Sequence, residues 1–311
     1  MVIPRARSSG AWSVSMPVSA LTNRVLPWSM CPAVPITVCA ICSMSYIDVL
    51  FLAYIMSNFA PTTRNFSMYL KHLRPYQLTD AVAQGHPLLV PAGCIETHGP
   101  HMAIGHDTLI VEEICDRVAA RTPCVIAPSF DYGPTGYALG GPADGTIDPD
   151  YDAFGRLAKS ILRNFIEMGF RKTYVIIMHQ GMGGPLALAF SKAAAELEFE
   201  KVLAEGHPRG WWGDRDALDR VGSWGGRIEV QPMVLPESSP PAGGDHAGYN
   251  ETSFLMAVRP ELVEQERLGD DAPWYCRQDE EKNSWTANAE HGQAMVDAVV
   301  EAWVTKIDKE R

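Results

Sequence analysis

The run LLVPAGCIETHGPHMAIGHDTLIVEEICDRV, Leu88–Val118, sets the reading of the whole chain. It opens on a short apolar stretch, Leu88–Pro91, the length of one buried strand. It closes on Leu109, Ile110, Ile114 and Val118, which recur at the spacing of one helical face and predict a helix over Asp107–Arg121. Between the two lies a loop with Glu96, His98, His101, His106 and Asp107 in twelve residues. A strand that leads through a polar loop into a helix is half of a parallel crossover unit.

The alternation continues downstream. Cys124–Ala127 reads as the next strand. Tyr151–Met168 is the clearest helix, with Phe154, Leu157, Ala158, Ile161, Leu162 and Phe165 at threes and fours and Gly169 as its stop. Tyr174–Met178 is a strand, Pro185–Phe199 a helix, Ile228–Leu235 a strand, and Glu251–Val258 and Thr286–Lys306 are helices. This order predicts an α/β fold, a mainly parallel sheet with helices on both faces. The segment Gly206–Gly226 is rich in Gly and carries Trp211, Trp212 and Trp224, so it reads as a long loop of the kind that often forms a lid.

In open parallel sheets, ligands gather beyond the carboxyl ends of the strands. Acidic and imidazole side chains cluster at three such ends. Glu96, His98, His101, His106 and Asp107 follow the first strand, His179 follows the strand that ends at Met178, and Asp245, His246 and Glu251 follow the strand near Leu235. Each alone has an ordinary explanation, such as a capping Asp107 or a hydrogen-bonded structural histidine. Together they are the donor mixture that Zn²⁺ and Mn²⁺ take. In an extended segment Glu96 and His98 point to the same side and can approach one ion or two neighbours. Asp107, at a helix start, can bridge two ions. Cys94 reads as a small buried residue, and Asp245 as a group that orients His246 or as a loop charge.

The chain has 311 residues and a formal net charge of −11. That balance disfavours nucleic acid, whose phosphates need clustered Lys and Arg. Seven cysteines without a second C-x-x-C suit free thiols in a reducing cytoplasm. Residues 1–67 differ from the rest: they hold four Arg, one Asp and no Lys, Glu or His. Ile36–Met56 is long and apolar enough to span a bilayer, but Asp48 interrupts it. The expectation is an N-terminal extension over 1–67, disordered or a start-site artefact rather than an anchor, and a catalytic body over 68–311 that needs no membrane.

Three segments carry a family resemblance. PAGCIETHGPHMAIGHD resembles the creatininase signature Pro-x-Gly-x-x-Glu-x-His-Gly-x-His followed by Asp. GFRKTYVIIMHQGMGG is similar to a second segment of that family, and DHAGYNETS to a third, His-Ala-Gly-x-x-Glu-Thr-Ser. The resemblance implies that Glu96, His98, Asp107, His179 and Glu251 hold two divalent ions, Zn²⁺ or Mn²⁺, and that His246 is the active-site histidine. It also implies homo-oligomers, up to hexamers, and hydrolysis of creatinine, formamides or peptides, or opening of the carbocycle of 3-dehydro-scyllo-inosose. Departures concern the surroundings. Ile177-Met178 replaces the usual Asn-Gly before the metal histidine, Gln180-Gly181-Met182 replaces Gly-Gly-Asn after it, and FDYGPTGYALGGPADGT has Thr135 and Tyr137 but no histidine.

The expected reaction is attack of metal-activated water on a carbonyl of a small, polar, cyclic substrate, with cleavage of a C–N bond and His246 protonating the leaving group. Tyr137, Gln180 and Trp224 are candidate substrate contacts. The first alternative is C–C cleavage in a cyclic diketone. A second, of another class, is a non-catalytic metal-binding protein, which would be expected to lack His246 or part of the ligand set.

Overall fold

Side chains alternate across a strand, so a strand buried on both faces needs apolar residues at every position. The two five-residue strands β2 (Leu88–Ala92) and β4 (Thr173–Ile177) come close to that condition, with every residue buried and only Thr173 polar. A computed structural model of the protein describes residues 68–204, 206–207, 209–217, 227–238 and 245–311. The N-terminal extension, with Ile36–Met56, and the candidate contact Trp224 lie outside the described residues.

Around β2 and β4 stand β1 (Met68–Tyr69), β3 (Val125–Ile126) and β5 (Ile228–Pro232). The sheet order is β1-β3-β2-β4-β5, with every neighbouring pair parallel. The helices are α1 (Pro75–Ala83), α2 (His106–Ala119), α3 (Tyr151–Glu167), α4 (Pro185–Ala204), α5 (Tyr249–Val258) and α6 (Ala289–Glu310). Leu88, Val90, Val175 and Ile177 pack on one face against Leu162 of α3 and Leu186 and Phe190 of α4. Leu89, Tyr174 and Ile176 pack on the other against Ile110 and Ile114 of α2, Phe254 of α5, and Val299 and Trp303 of α6. The fold is therefore α/β, a parallel sheet between two helical layers.

β2 leads through α2 to β3 on one side, and the chain then returns through α3 to β4 on the other. The carboxyl ends of β2 and β4 flank the point where the connections diverge, which is where open parallel sheets form a crevice. Among the described residues, no helix is long and apolar enough to cross a membrane.

Several boundaries differ from the sequence reading, each for a local reason. Asn288 accepts from the His291 N–H and starts α6 three residues after Thr286. The helix α4 runs past Phe199 to Ala204, with Glu196 and Glu200 paired to Lys159 of α3. The ladder of β5 ends at Pro232 instead of Leu235. Neither α1 nor β1 was foreseen. In α1 the apolar positions packed on the core are only Leu78, Ala81 and Val82, too short a run to stand out, and β1 is two residues long.

Helices α5 and α6 touch at Gly292, where a Cβ would lie 1.8 Å from the Ser253 carbonyl oxygen. A methyl group cannot enter without separating the helices. Gly292→Ala should lower stability by roughly 2–3 kcal/mol, the upper part of the overpacking range. The measurement is the urea midpoint, and an unchanged midpoint would show that the helices do not approach this closely.

Candidate metal centre

Gly93, at the end of β2, has the first turn of α2 against it: a Cβ there would lie 2.6 Å from the Thr108 nitrogen. Only glycine allows this approach. It presses the loop after β2 onto the start of α2, where Asp107 is buried at the positive end of the helix. The β4 chain, two residues beyond its last strand residue, supplies His179.

The Asp107 carboxylate divides its contacts. Its Oδ2 lies 2.9 Å from His179 Nδ1 and 3.2 Å from Cys94 Sγ. Its Oδ1 lies 3.2 Å from His98 Nε2 and 3.0 Å from His106 Nδ1. Glu96 Oε2 stands on the Oδ2 side, 3.6 Å from His179 Nδ1, and Glu251 Oε2 on the Oδ1 side, 3.6 Å from His98 Nε2. Two donor groups result, Cys94-Glu96-Asp107-His179 and His98-His106-Asp107-Glu251, and within each the donor atoms lie within 4.8 Å of one another. Glu96 and His98 thus diverge to opposite sides of Asp107. The backbone between them is irregular, and His98 Nδ1–H donates to the Glu96 carbonyl at 2.9 Å, which leaves Nε2 facing the carboxylates.

The donor chemistry fits cations. Glu96 Oε1 and His179 Nε2 are buried without a hydrogen-bond partner. Burial pushes the Glu251 carboxyl up to about 8 and raises that of Glu96, with the Asp107 charge adding to both. Burial opposes charge on His98, but Asp107 and Glu251 outweigh it and push the imidazole up to about 9. Burial alone would raise Asp107, yet the charge on His98 and hydrogen bonds from three histidines hold it well below the carboxylate range. Three carboxylates this close resist simultaneous ionisation unless positive charge joins them, and a divalent cation would supply that charge.

His246 Nε2–H donates to the Thr97 carbonyl at 2.9 Å, so its Nδ1 lone pair is left facing Glu96 Oε2, at 3.8 Å. Burial, then charge on His98, pushes this imidazole down to about 3. Asp245 does not serve His246. Its carboxylate accepts the backbone N–H groups of Asn250 and Glu251 at 2.9 and 3.1 Å and caps the first turn of α5. His101 Nε2 pairs with Thr252 Oγ1 at 2.9 Å and His106 Nε2 lies 3.2 Å from the Glu251 carbonyl oxygen, so both tie the β2 loop and α2 to α5.

Glu96, Asp107, His179, His246 and Glu251 line a cavity of about 400 Å³, whose wall includes Leu139, Met178, Gln180, Met182 and Phe254. That volume suits a small molecule. Gln180 donates to the Thr135 carbonyl at 2.9 Å. Tyr137 is half exposed beside the lining residue Ala138 and does not itself line the cavity. Tyr137, Gln180 and Ala247 hold φ of 48°, 50° and 51°, a left-handed region that costs non-glycine residues energy and tends to collect at functional sites. At Ala247 the turn allows its N–H to donate to Glu251 Oε2 at 2.7 Å. Cys94 is fully buried, in keeping with its reading as a small buried residue. No motif marks a lone cysteine, and its contact with His179 exists only once β2 and β4 pair.

The chain is similar to a 3-dehydro-scyllo-inosose hydrolase of Thermotoga maritima, 26% identical over 68% of this chain and 62% of the relative. It is also similar to a creatinine amidohydrolase of Pseudomonas putida, 26% identical over 60% of this chain and 69% of the relative. A mycofactocin precursor peptide peptidase of Mycolicibacterium smegmatis is 30% identical over 60% of this chain and 64% of the relative. The match to the inosose hydrolase thus spans less than two thirds of that protein's length. The fold matches a crystal structure of creatinine amidohydrolase with a TM-score of 0.62 at 21% identity, over 79% of this chain and 98% of that one. Related solved structures are described as a manganese form and a Zn-Zn type. The family model of creatinine amidohydrolase matches residues 71–307, and the chain belongs to the creatininase family.

Proposed function

We propose that the protein is a metal-dependent hydrolase that cleaves a C–N bond beside a carbonyl in a small, polar, cyclic substrate. The observation that carries this reading is the division of the Asp107 carboxylate between two donor groups. Glu96, Asp107 and His179 would hold one divalent ion, and His98, Asp107 and Glu251 the other. Ions bound there would lower the pKa of water and polarise a carbonyl.

The chain's own residues do the rest. The Thr97 carbonyl fixes the tautomer of His246 and presents Nδ1 as a proton acceptor beside Glu96. A depressed pKa makes the resulting imidazolium a strong acid, suited to protonate an amine that leaves. His106 and Ala247 hold Glu251 in place through its backbone and its carboxylate. Leu139, Met178 and Phe254 limit water in the cavity.

One observation favours a second reading, C–C ring opening of a cyclic diketone: the relative that hydrolyses 3-dehydro-scyllo-inosose. A screen of the Zn²⁺- and Mn²⁺-loaded protein against creatinine, other cyclic amides, short peptides and 3-dehydro-scyllo-inosose separates them. Turnover of amides only supports C–N cleavage, and turnover of the inosose alone replaces it with the second reading. Turnover of none, at full metal content, would favour the non-catalytic alternative.

A further inference from the structure

The Glu96 side of the centre holds a donor that the family signature does not specify. In Pro-x-Gly-x-x-Glu, Cys94 fills an unspecified position. We infer that the Cys94 thiolate is a ligand of the ion held by Glu96, Asp107 and His179, and that it makes this position selective for Zn²⁺ over Mn²⁺. The inference rests on the two-position centre described above.

The geometry is as follows. Cys94 Sγ lies 3.2 Å from Asp107 Oδ2 and 3.3 Å from His179 Nδ1. The His179 and Asp107 donors are 2.9 Å apart, and the His179 and Glu96 donors 3.6 Å. For tetrahedral zinc, bonds of about 2.3 Å to sulfur and about 2.0–2.1 Å to nitrogen or oxygen place neighbouring donors roughly 3.3–3.6 Å apart. The two sulfur distances and the His179–Glu96 distance lie within about 0.4 Å of that spacing, the hydrogen-bonded His179–Asp107 pair is shorter, and all four donors lie within 4.8 Å of one another. The thiol is fully buried, and it is not among the residues that line the cavity, although Glu96, Asp107 and His179 are. Its sulfur is thus closed off from the cavity that the Glu96 and Asp107 carboxylates line. A nucleophile for substrate would need the opposite placement, whereas a ligand on the protein side of an ion needs this one.

The chemistry sets the selectivity. When the S–metal bond forms, the Sγ–H bond breaks and one proton leaves to solvent, since a coordinating thiol is deprotonated. Thiolate is a soft donor that selects zinc, whereas oxygen donors suit manganese. The other donor group, His98-His106-Asp107-Glu251, contains no sulfur. The two positions therefore differ in softness, and one equivalent of Zn²⁺ should persist in excess Mn²⁺. The rival account is that the thiol merely donates a hydrogen bond to Asp107.

The test loads the full-length protein with Co²⁺ and reads metal content and the near-ultraviolet spectrum. The expected result is a thiolate-to-cobalt charge-transfer band that vanishes in Cys94→Ser while cobalt stays bound. Cys94→Ser should also weaken Zn²⁺ at this position by about tenfold or more, at least the cost of losing a supporting partner, and leave Mn²⁺ binding nearly unchanged. X-ray absorption at the zinc edge of the wild-type protein should show a sulfur neighbour at about 2.3 Å, and it needs no variant to fold. Cobalt bound without the band, a band that survives Cys94→Ser, or a zinc shell of nitrogen and oxygen only would overturn the ligand role and leave the two-position centre standing. Failure to bind Co²⁺ or Zn²⁺ at all would overturn the centre itself, and the ligand role with it.

Discussion

Asp107→Ala is expected to strip both ions and abolish turnover. The carboxylate meets His179 and Cys94 through Oδ2 and His98 through Oδ1, so both donor groups lose a member at once. Removing only a supporting partner of a ligand typically costs about 10–100-fold in metal affinity, so loss of a shared ligand should exceed about 100-fold at each position. Glu251→Ala is the control, because it faces only the His98 side. Elemental analysis after dialysis against Zn²⁺ should find both positions emptied in the first variant and one retained in the second. If Asp107→Ala keeps one tightly bound ion, the carboxylate does not bridge.

The second large effect is on turnover alone. His246→Ala should retain full metal content yet lose kcat by roughly a hundred- to ten-thousand-fold, the range for general acid–base groups. The reason is positional: Nε2 is committed to the Thr97 carbonyl, and Nδ1 lies 3.8 Å from Glu96, too far for a hydrogen bond, so its lone pair is not taken up by that carboxylate. Because Glu96, His98 and His246 also place donor atoms within 4.8 Å, a ligand role is the competing explanation. The two separate cleanly. Lost metal would make His246 a ligand, and full metal with unchanged kcat would remove it from the reaction.

The central layers were legible because β2 and β4 are buried on both sides and therefore read as unbroken apolar runs, and α3 because its stripe is regular. The clustering of acidic and imidazole groups was legible for a related reason: Glu96, His98 and Asp107 crowd one loop, and His179 and Glu251 follow apolar runs closely enough to be placed at strand ends. What was hidden depends on pairs distant in sequence. Asp245 looked like a neighbour for His246, but in three dimensions it meets the N–H groups of α5. Periodicity says nothing about a nine-residue helix with one buried side chain, nor about the loop between β3 and α3 that supplies Leu139 to the cavity.

The donors and the cavity wall are carried by different kinds of backbone. Asp107 and Glu251 sit in first helical turns, and the loop bearing Glu96 and His98 is pinned by Gly93 against α2. Ala138, Leu139, Met182 and Val234 come from connections outside helices and strands, after β3, β4 and β5. Surface connections accept insertions and substitutions at little cost to the scaffold. Lineages sharing this architecture could therefore exchange one substrate for another by drift in three loops, with the reactive apparatus inherited intact. Diversification would then leave its mark on the wall first and on the donors last.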